Sequence, residues 1–114
     1  MFIDIPKPIG GIGGGSKTKT GSFSSSSTTY KLTLDFKPKQ ICIYRGDGTV
    51  WSMSYDENYS TTKYYKCVGS SSSVPNIGTG STNFHLVSID DDGVTLSFKD
   101  STYAGYDWRY YAIG

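Results

Sequence analysis

The sequence predicts an all-β domain: an antiparallel β-sandwich, jelly-roll or immunoglobulin-like, with about seven or eight short strands. Three observations lead there. Apolar and polar residues alternate with period two in Tyr30-Lys31-Leu32-Thr33-Leu34-Asp35-Phe36 and again in Val94-Thr95-Leu96-Ser97-Phe98-Lys99. That is the pattern of a strand with one buried face. Clusters of Gly, Asp, Asn, Ser and Pro punctuate the chain at short intervals, as turns do. No stretch carries a helical period worth defending. Ten tyrosines and 14 glycines among 114 residues fit a turn-rich β protein.

Residues 1–19 read as a Pro/Gly-rich arm and residues 20–114 as the domain. Pro6 and Pro8 keep residues 2–8 extended. Gly10-Gly11-Ile12-Gly13-Gly14-Gly15-Ser16 has the composition of a flexible linker. It is not a phosphate loop, because Gly15-Ser16-Lys17 reverses the Gly-Lys-Ser/Thr order and no helical pattern follows. A weak first strand spans 20–24 around Phe23. The second, 30–36, points Tyr30, Leu32, Leu34 and Phe36 inward and stops at Lys37-Pro38-Lys39. The third, 40–45, is apolar on both faces and so predicted central. Gly46-Asp47-Gly48 turns the chain into a fourth strand, 50–55, with Trp51, Met53 and Tyr55 on one face. After a turn at Asp56-Glu57-Asn58 comes a fifth strand, 62–68, and then a Ser-rich loop, 69–81. Strand six, 84–89, and strand seven, 94–99, flank the Asp90-Asp91-Asp92-Gly93 hairpin signal. Residues 100–105 connect to the last strand, 106–113, whose aromatics predict that it closes the core.

Composition removes several function classes. A formal charge of +1 gives no electrostatic footprint for nucleic acid. No apolar run approaches the roughly 20 residues of a membrane helix. The start has no basic-then-apolar leader, so the expectation is synthesis in a cytoplasm without a signal peptide. Cys42 and Cys67 lie in apolar runs without metal-site spacing, and read as reduced core thiols. Arg45-Gly46-Asp47 spells an integrin-recognition tripeptide, but a turn after a strand explains it. Asp90 to Asp92 lack the alternate-position spacing of a calcium loop. His85, the sole histidine, sits mid-strand, and no orienting carboxylate or oxyanion hole is legible beside it. The carboxylates fall mostly in turns and give no sign of a glycosidase pair across a cleft. The expectation is therefore no catalytic residue, no metal and no cofactor. Asn58-Tyr59-Ser60 fits the glycosylation pattern, which has no use without secretion.

The aromatics remain. Trp51, Phe98, Trp108 and Tyr110 alternate within strands and read as core. Tyr55, Tyr59, Tyr103 and Tyr106 fall at strand ends or in loops. Tyrosine faces stack on sugar rings, so these four are the candidate ligand contacts, with subunit packing as the competing use.

Three stretches carry a family resemblance: Gly21-Ser22-Phe23 before a Ser-rich turn and an alternating strand; Phe36-Lys37-Pro38 before the apolar Ile41-Cys42-Ile43-Tyr44; and the ending Trp108-Arg109-Tyr110-Tyr111-Ala112-Ile113-Gly114. In this order they resemble small bacteriophage and prophage virion structural proteins and tail-fibre C-terminal β domains. The resemblance covers residues 20–114. It implies a virion-associated β-sandwich: a tail-fibre, baseplate, neck or capsid-surface component that self-assembles, as a trimer for example, or docks to a larger virion protein and contributes to host attachment. Phe2, Ile3 and Ile5 of the arm would dock on a neighbour. The alternative expectation is a carbohydrate-binding module for bacterial surface glycans.

Overall fold

A computed structural model describes residues 17–60, 63–69, 72–80 and 83–114. The predicted docking residues Phe2, Ile3 and Ile5 lie outside the described residues. Eight strands follow one another: β1 (Thr18–Phe23), β2 (Thr29–Thr33), β3 (Gln40–Arg45), β4 (Ser52–Asp56), β5 (Lys66–Val68), β6 (Phe84–Asp90), β7 (Gly93–Phe98) and β8 (Trp108–Ile113). Two single helical turns interrupt them, α1 (Glu57–Ser60) and α2 (Ser101–Ala104). The strands form a five-stranded sheet, β1-β8-β3-β4-β5, and a three-stranded sheet, β2-β7-β6. Every neighbouring pair is antiparallel. The domain is an all-β sandwich, as the alternation predicts. Its wrapping is nested, the first strand beside the last and the second beside the seventh, and departs from the immunoglobulin order.

The inner faces meet in one core. β8 shows why it closes that core: Trp108, Tyr110 and Ala112 are buried, while Arg109, Tyr111 and Ile113 face out. The strand lies between β1 and β3 and bonds to both. The Trp108 ring packs against Phe84 and Phe98, with centroids 5.4 Å away in each case. Its indole N–H donates to the Tyr103 carbonyl at 2.7 Å, so the largest buried side chain leaves no polar atom unpaired.

The three resembling stretches come together here. Gly21 and Phe23 pair with Tyr110 and Trp108. A Cβ on Gly21 would stand 2.8 Å from the Tyr110 hydroxyl, so this position has no room for a side chain. The Phe36 ring lies against Gly114, and Pro38 is fully buried. These motifs are scaffold.

Several elements differ from expectation for local reasons. β1 begins at Thr18, so residues 18 and 19 of the predicted arm belong to the sheet. β2 ends at Thr33 because Asp35 takes a left-handed conformation, φ 69°. The Leu34 and Asp35 N–H groups then both donate to the Asp92 carbonyl, at 2.7 and 3.1 Å. The turn expected at Asp56 is the helical turn α1, where Asp56 Oδ1 accepts from the Asn58 N–H at 2.8 Å. The fifth strand shortens to three residues. Part of the predicted loop folds back on it, Ser73 and Cys67 exchanging backbone bonds of 2.8 and 2.9 Å. In β6 the pairing skips between Leu86 and Ser88. That bulge lets Phe84, Leu86 and Ile89 all face the core although their spacing is not even. Residues 100–105 contain α2, capped by Asp100, whose Oδ1 accepts from Thr102 and Tyr103.

Candidate functional site

The outer face of the five-stranded sheet is ruled into rows by its register. One row runs Thr20, Tyr111, Cys42, Ser54, Lys66 across all five strands. A second, nearer the chain's ends, runs Thr18, Ile113, Gln40, Asp56. A third runs Ser22, Arg109, Tyr44, Ser52, Val68. The first two rows, without Thr20 and Thr18 of β1, form the floor of a groove of about 640 Å³, within the range of small-ligand sites. Tyr59 of α1 and Val74 of the folded-back segment join the lining from outside the sheet, and the buried Ile41 and Tyr55 complete it.

Tyr59 is 64% exposed and Tyr111 50%, so both rings are open to solvent. Tyr111 and Cys42 are cross-strand register partners, so the ring lies beside the thiol on the floor. Burial pushes the Cys42 thiol up and outweighs the neighbouring Tyr111 hydroxyl, which lowers it, so the floor carries no thiolate at neutral pH. The adjacent Cys42 thiol and burial hold the Tyr111 hydroxyl above its ordinary value as well. Gln40 Nε2 donates to Asp56 Oδ2 at 3.0 Å. One amide hydrogen is thereby used, and the amide keeps a second donor and its carbonyl acceptor. Asp56 and Lys66 are the two charged residues of the lining, and their charges cancel.

A second aromatic assembly lies around Arg45. Its guanidinium stands 3.8 Å from the Tyr106 ring centroid and 4.7 Å from that of Trp51. Tyr103 stacks on Trp51 at 5.4 Å and meets Tyr106 edge-on at 5.7 Å. Arg45 also pairs with Asp47, and the backbone bond to Thr49 is the leading cause that holds the Asp47 carboxyl low. The Arg45 side chain is 13% exposed, its Nε buried without a hydrogen-bond partner. Arg45-Gly46-Asp47 is thus a turn whose charged ends bind each other and the domain.

The four tyrosines picked from the sequence divide between these places. Tyr59 stands at the groove wall, and Tyr55 is buried in the lining, 3% exposed. Tyr103 and Tyr106 are half-buried in the Arg45 assembly and do not reach the groove. Trp51, read as core, is half-buried at its edge. Sequence reasoning missed Tyr111, Cys42, Gln40 and Ser54. The signal was present: if Trp108, Tyr110 and Ala112 face in, Tyr111 must face out, and an outward aromatic on a central strand is unusual.

Lys31 bridges Asp90 at 2.8 Å and Asp92 at 2.6 Å across the hairpin. His85 is half-buried on β6, and burial lowers its pKa. Cys42 and Cys67 are free thiols. Among the described residues, no cluster of three or more metal-ligating side chains occurs, and no helix is long and apolar enough to cross a membrane. No protein-family model, curated protein or solved structure matches the chain.

Proposed function

We propose that the chain is a non-catalytic structural domain of a bacteriophage particle, a part of the tail fibre, baseplate, neck or capsid surface. It works by assembling with copies of itself or by docking to a larger virion protein, and it contributes to host attachment. It is made in the host cytoplasm and carried on the virion. The resembling stretches support this reading, since the sequence that carries the likeness is the sequence that builds the sheet. The observation that carries the assembly role is the uncovered apolar surface. Tyr44, Tyr111 and Ile113 stand on one sheet face at 40, 50 and 41% exposure, and Val50 near its end at 71%. Apolar side chains gathered on one face are what a subunit contact uses. Sedimentation of the full chain tests it. The expected result is a closed oligomer, a trimer or a ring, that shifts toward monomer when residues 1–15 are deleted. A monomer at every concentration contradicts it.

A further inference from the structure

We infer that the groove across β8, β3 and β4 is a binding site for a neutral saccharide, stacked on Tyr111 and Tyr59 and hydrogen-bonded by Gln40, Ser54 and Asp56. Two observations select this ligand class. The two most exposed rings of the lining, Tyr59 and Tyr111, offer the flat apolar surfaces that pyranose C–H faces cover. Between them lie side chains with free hydrogen-bonding capacity: the remaining amide hydrogen and carbonyl of Gln40, and the Ser54 hydroxyl. Such a mixture of apolar faces and polar edges matches a sugar ring better than a hydrocarbon.

The charge of the groove excludes other ligands. Asp56 and Lys66 cancel, and Cys42 stays a neutral thiol. A nucleotide, a phosphate or an acidic polymer would find no net positive field. Peptides recognised as added strands bind sheet edges, where backbone groups are unpaired. This floor is a sheet face whose backbone is already paired on both sides of β8, β3 and β4. Recognition here must go through side chains. The polar part of the floor is also pre-formed, because Asp56 holds the Gln40 amide. A ligand need not order these side chains as it binds.

The groove shares Tyr111 and Ile113 with the face that assembly would use, so the two readings compete for it: a monomer that binds sugar keeps the former and loses the latter. The test uses the full chain and four neutral disaccharides, cellobiose, maltose, lactose and diacetylchitobiose. Calorimetry or saturation-transfer NMR reads binding, with sialyllactose as a charged comparison. The expected result is binding of at least one neutral disaccharide with a Kd in the millimolar range or tighter. Tyr111→Ala and Tyr59→Ala should each weaken it roughly tenfold, the loss of about one stacking contact. Tyr44→Ala, on the same sheet face but outside the groove lining, should leave it unchanged. Tyr111→Phe keeps the ring and drops only the hydroxyl, so it should retain most of the binding even if the alanine variant folds poorly. The inference is overturned if none of the four binds at millimolar concentration, if binding ignores both groove tyrosines, or if sialyllactose alone binds. It is equally overturned if Tyr111→Ala abolishes self-association while no sugar binds, for then a second copy fills the groove.

Discussion

Two aromatic assemblies sit on this domain and draw on the same residue types, yet one is closed and the other open. Around Arg45, the rings of Trp51, Tyr103 and Tyr106 meet one another and the guanidinium, and Asp47 takes the charge. The three rings are half-buried against one another and the guanidinium. Around Tyr111, the rings of Tyr111 and Tyr59 stand apart over a groove, and the polar groups between them have capacity to spare. Composition does not separate these regions. What separates them is whether neighbouring chain segments supply the partners. The turn after β3 folds Arg45 onto the strand-end aromatics, whereas nothing among the described residues crosses the face of β3 and β8.

β8 belongs to both assemblies, so its removal is expected to have the largest effect. Its inner face carries Trp108, bonded to Tyr103, and its outer face carries Tyr111. Deleting residues 108–114 should abolish folding, read as loss of the strand signal and of a cooperative melt in circular dichroism. A cooperative melt from that truncation would show that the strand is not the element that closes the core.

Arg45 comes next. A desolvated cation over aromatic rings contributes roughly 2 kcal/mol. Arg45→Ala removes this and the packing of the long side chain, for an expected loss of about 2–3 kcal/mol by denaturant titration. Arg45→Met keeps the packing and relieves the unpaired Nε, so it should cost only about 1 kcal/mol. Equal losses from the two variants would mean that charge, not packing, closes the assembly.

How much of this was legible depended on which force acted. The strands could be read wherever period-two alternation met turn residues, as in β2, β7 and β8. The inward faces of those strands follow directly. The β6 bulge was readable in principle from the uneven spacing of Phe84, Leu86 and Ile89. The two helical turns were not, because four residues are too few for a period. The site was half legible. Tyr59 was found by its place outside a strand, but the same rule selected Tyr103 and Tyr106, which a distant arginine draws into the closed assembly. Tyr111 was hidden by its own strand: the ending was read for the face that closes the core. Which side chains share the outer face depends on β8 lying between β1 and β3, a non-local pairing that no local pattern states.

A smaller effect is expected at the β6–β7 hairpin, where Lys31, Ser88 and Thr95 all bond to Asp90. Burial raises the Asp90 pKa, but bonds from Lys31, Ser88 and Thr95 outweigh it and leave the carboxyl below its ordinary value. A depressed folded pKa stabilises above the unfolded value, near 3.9, and the contribution fades as pH falls through the folded value. Asp90→Asn should therefore cost about 0.5–1 kcal/mol at neutral pH, the range of a surface ion pair, and the gap should close as pH falls below the ordinary carboxylate range. A gap that stays constant throughout acidification would place the loss in geometry and not in charge. Deleting residues 1–15 should have the smallest effect on stability. The described core begins at Phe23, so the melting temperature should not move even where assembly weakens.

The comparison itself is tested most directly by the thermal melts of Tyr106→Ala and Tyr111→Ala, measured side by side. A closed assembly should be costly to break and an open groove cheap. Tyr106→Ala should lose about 2–3 kcal/mol, lowering the melting temperature by about 10 °C or more, while Tyr111→Ala should lose less than about 1 kcal/mol. Equal losses, or a larger loss at Tyr111, would contradict the division into a structural cluster and an open binding face.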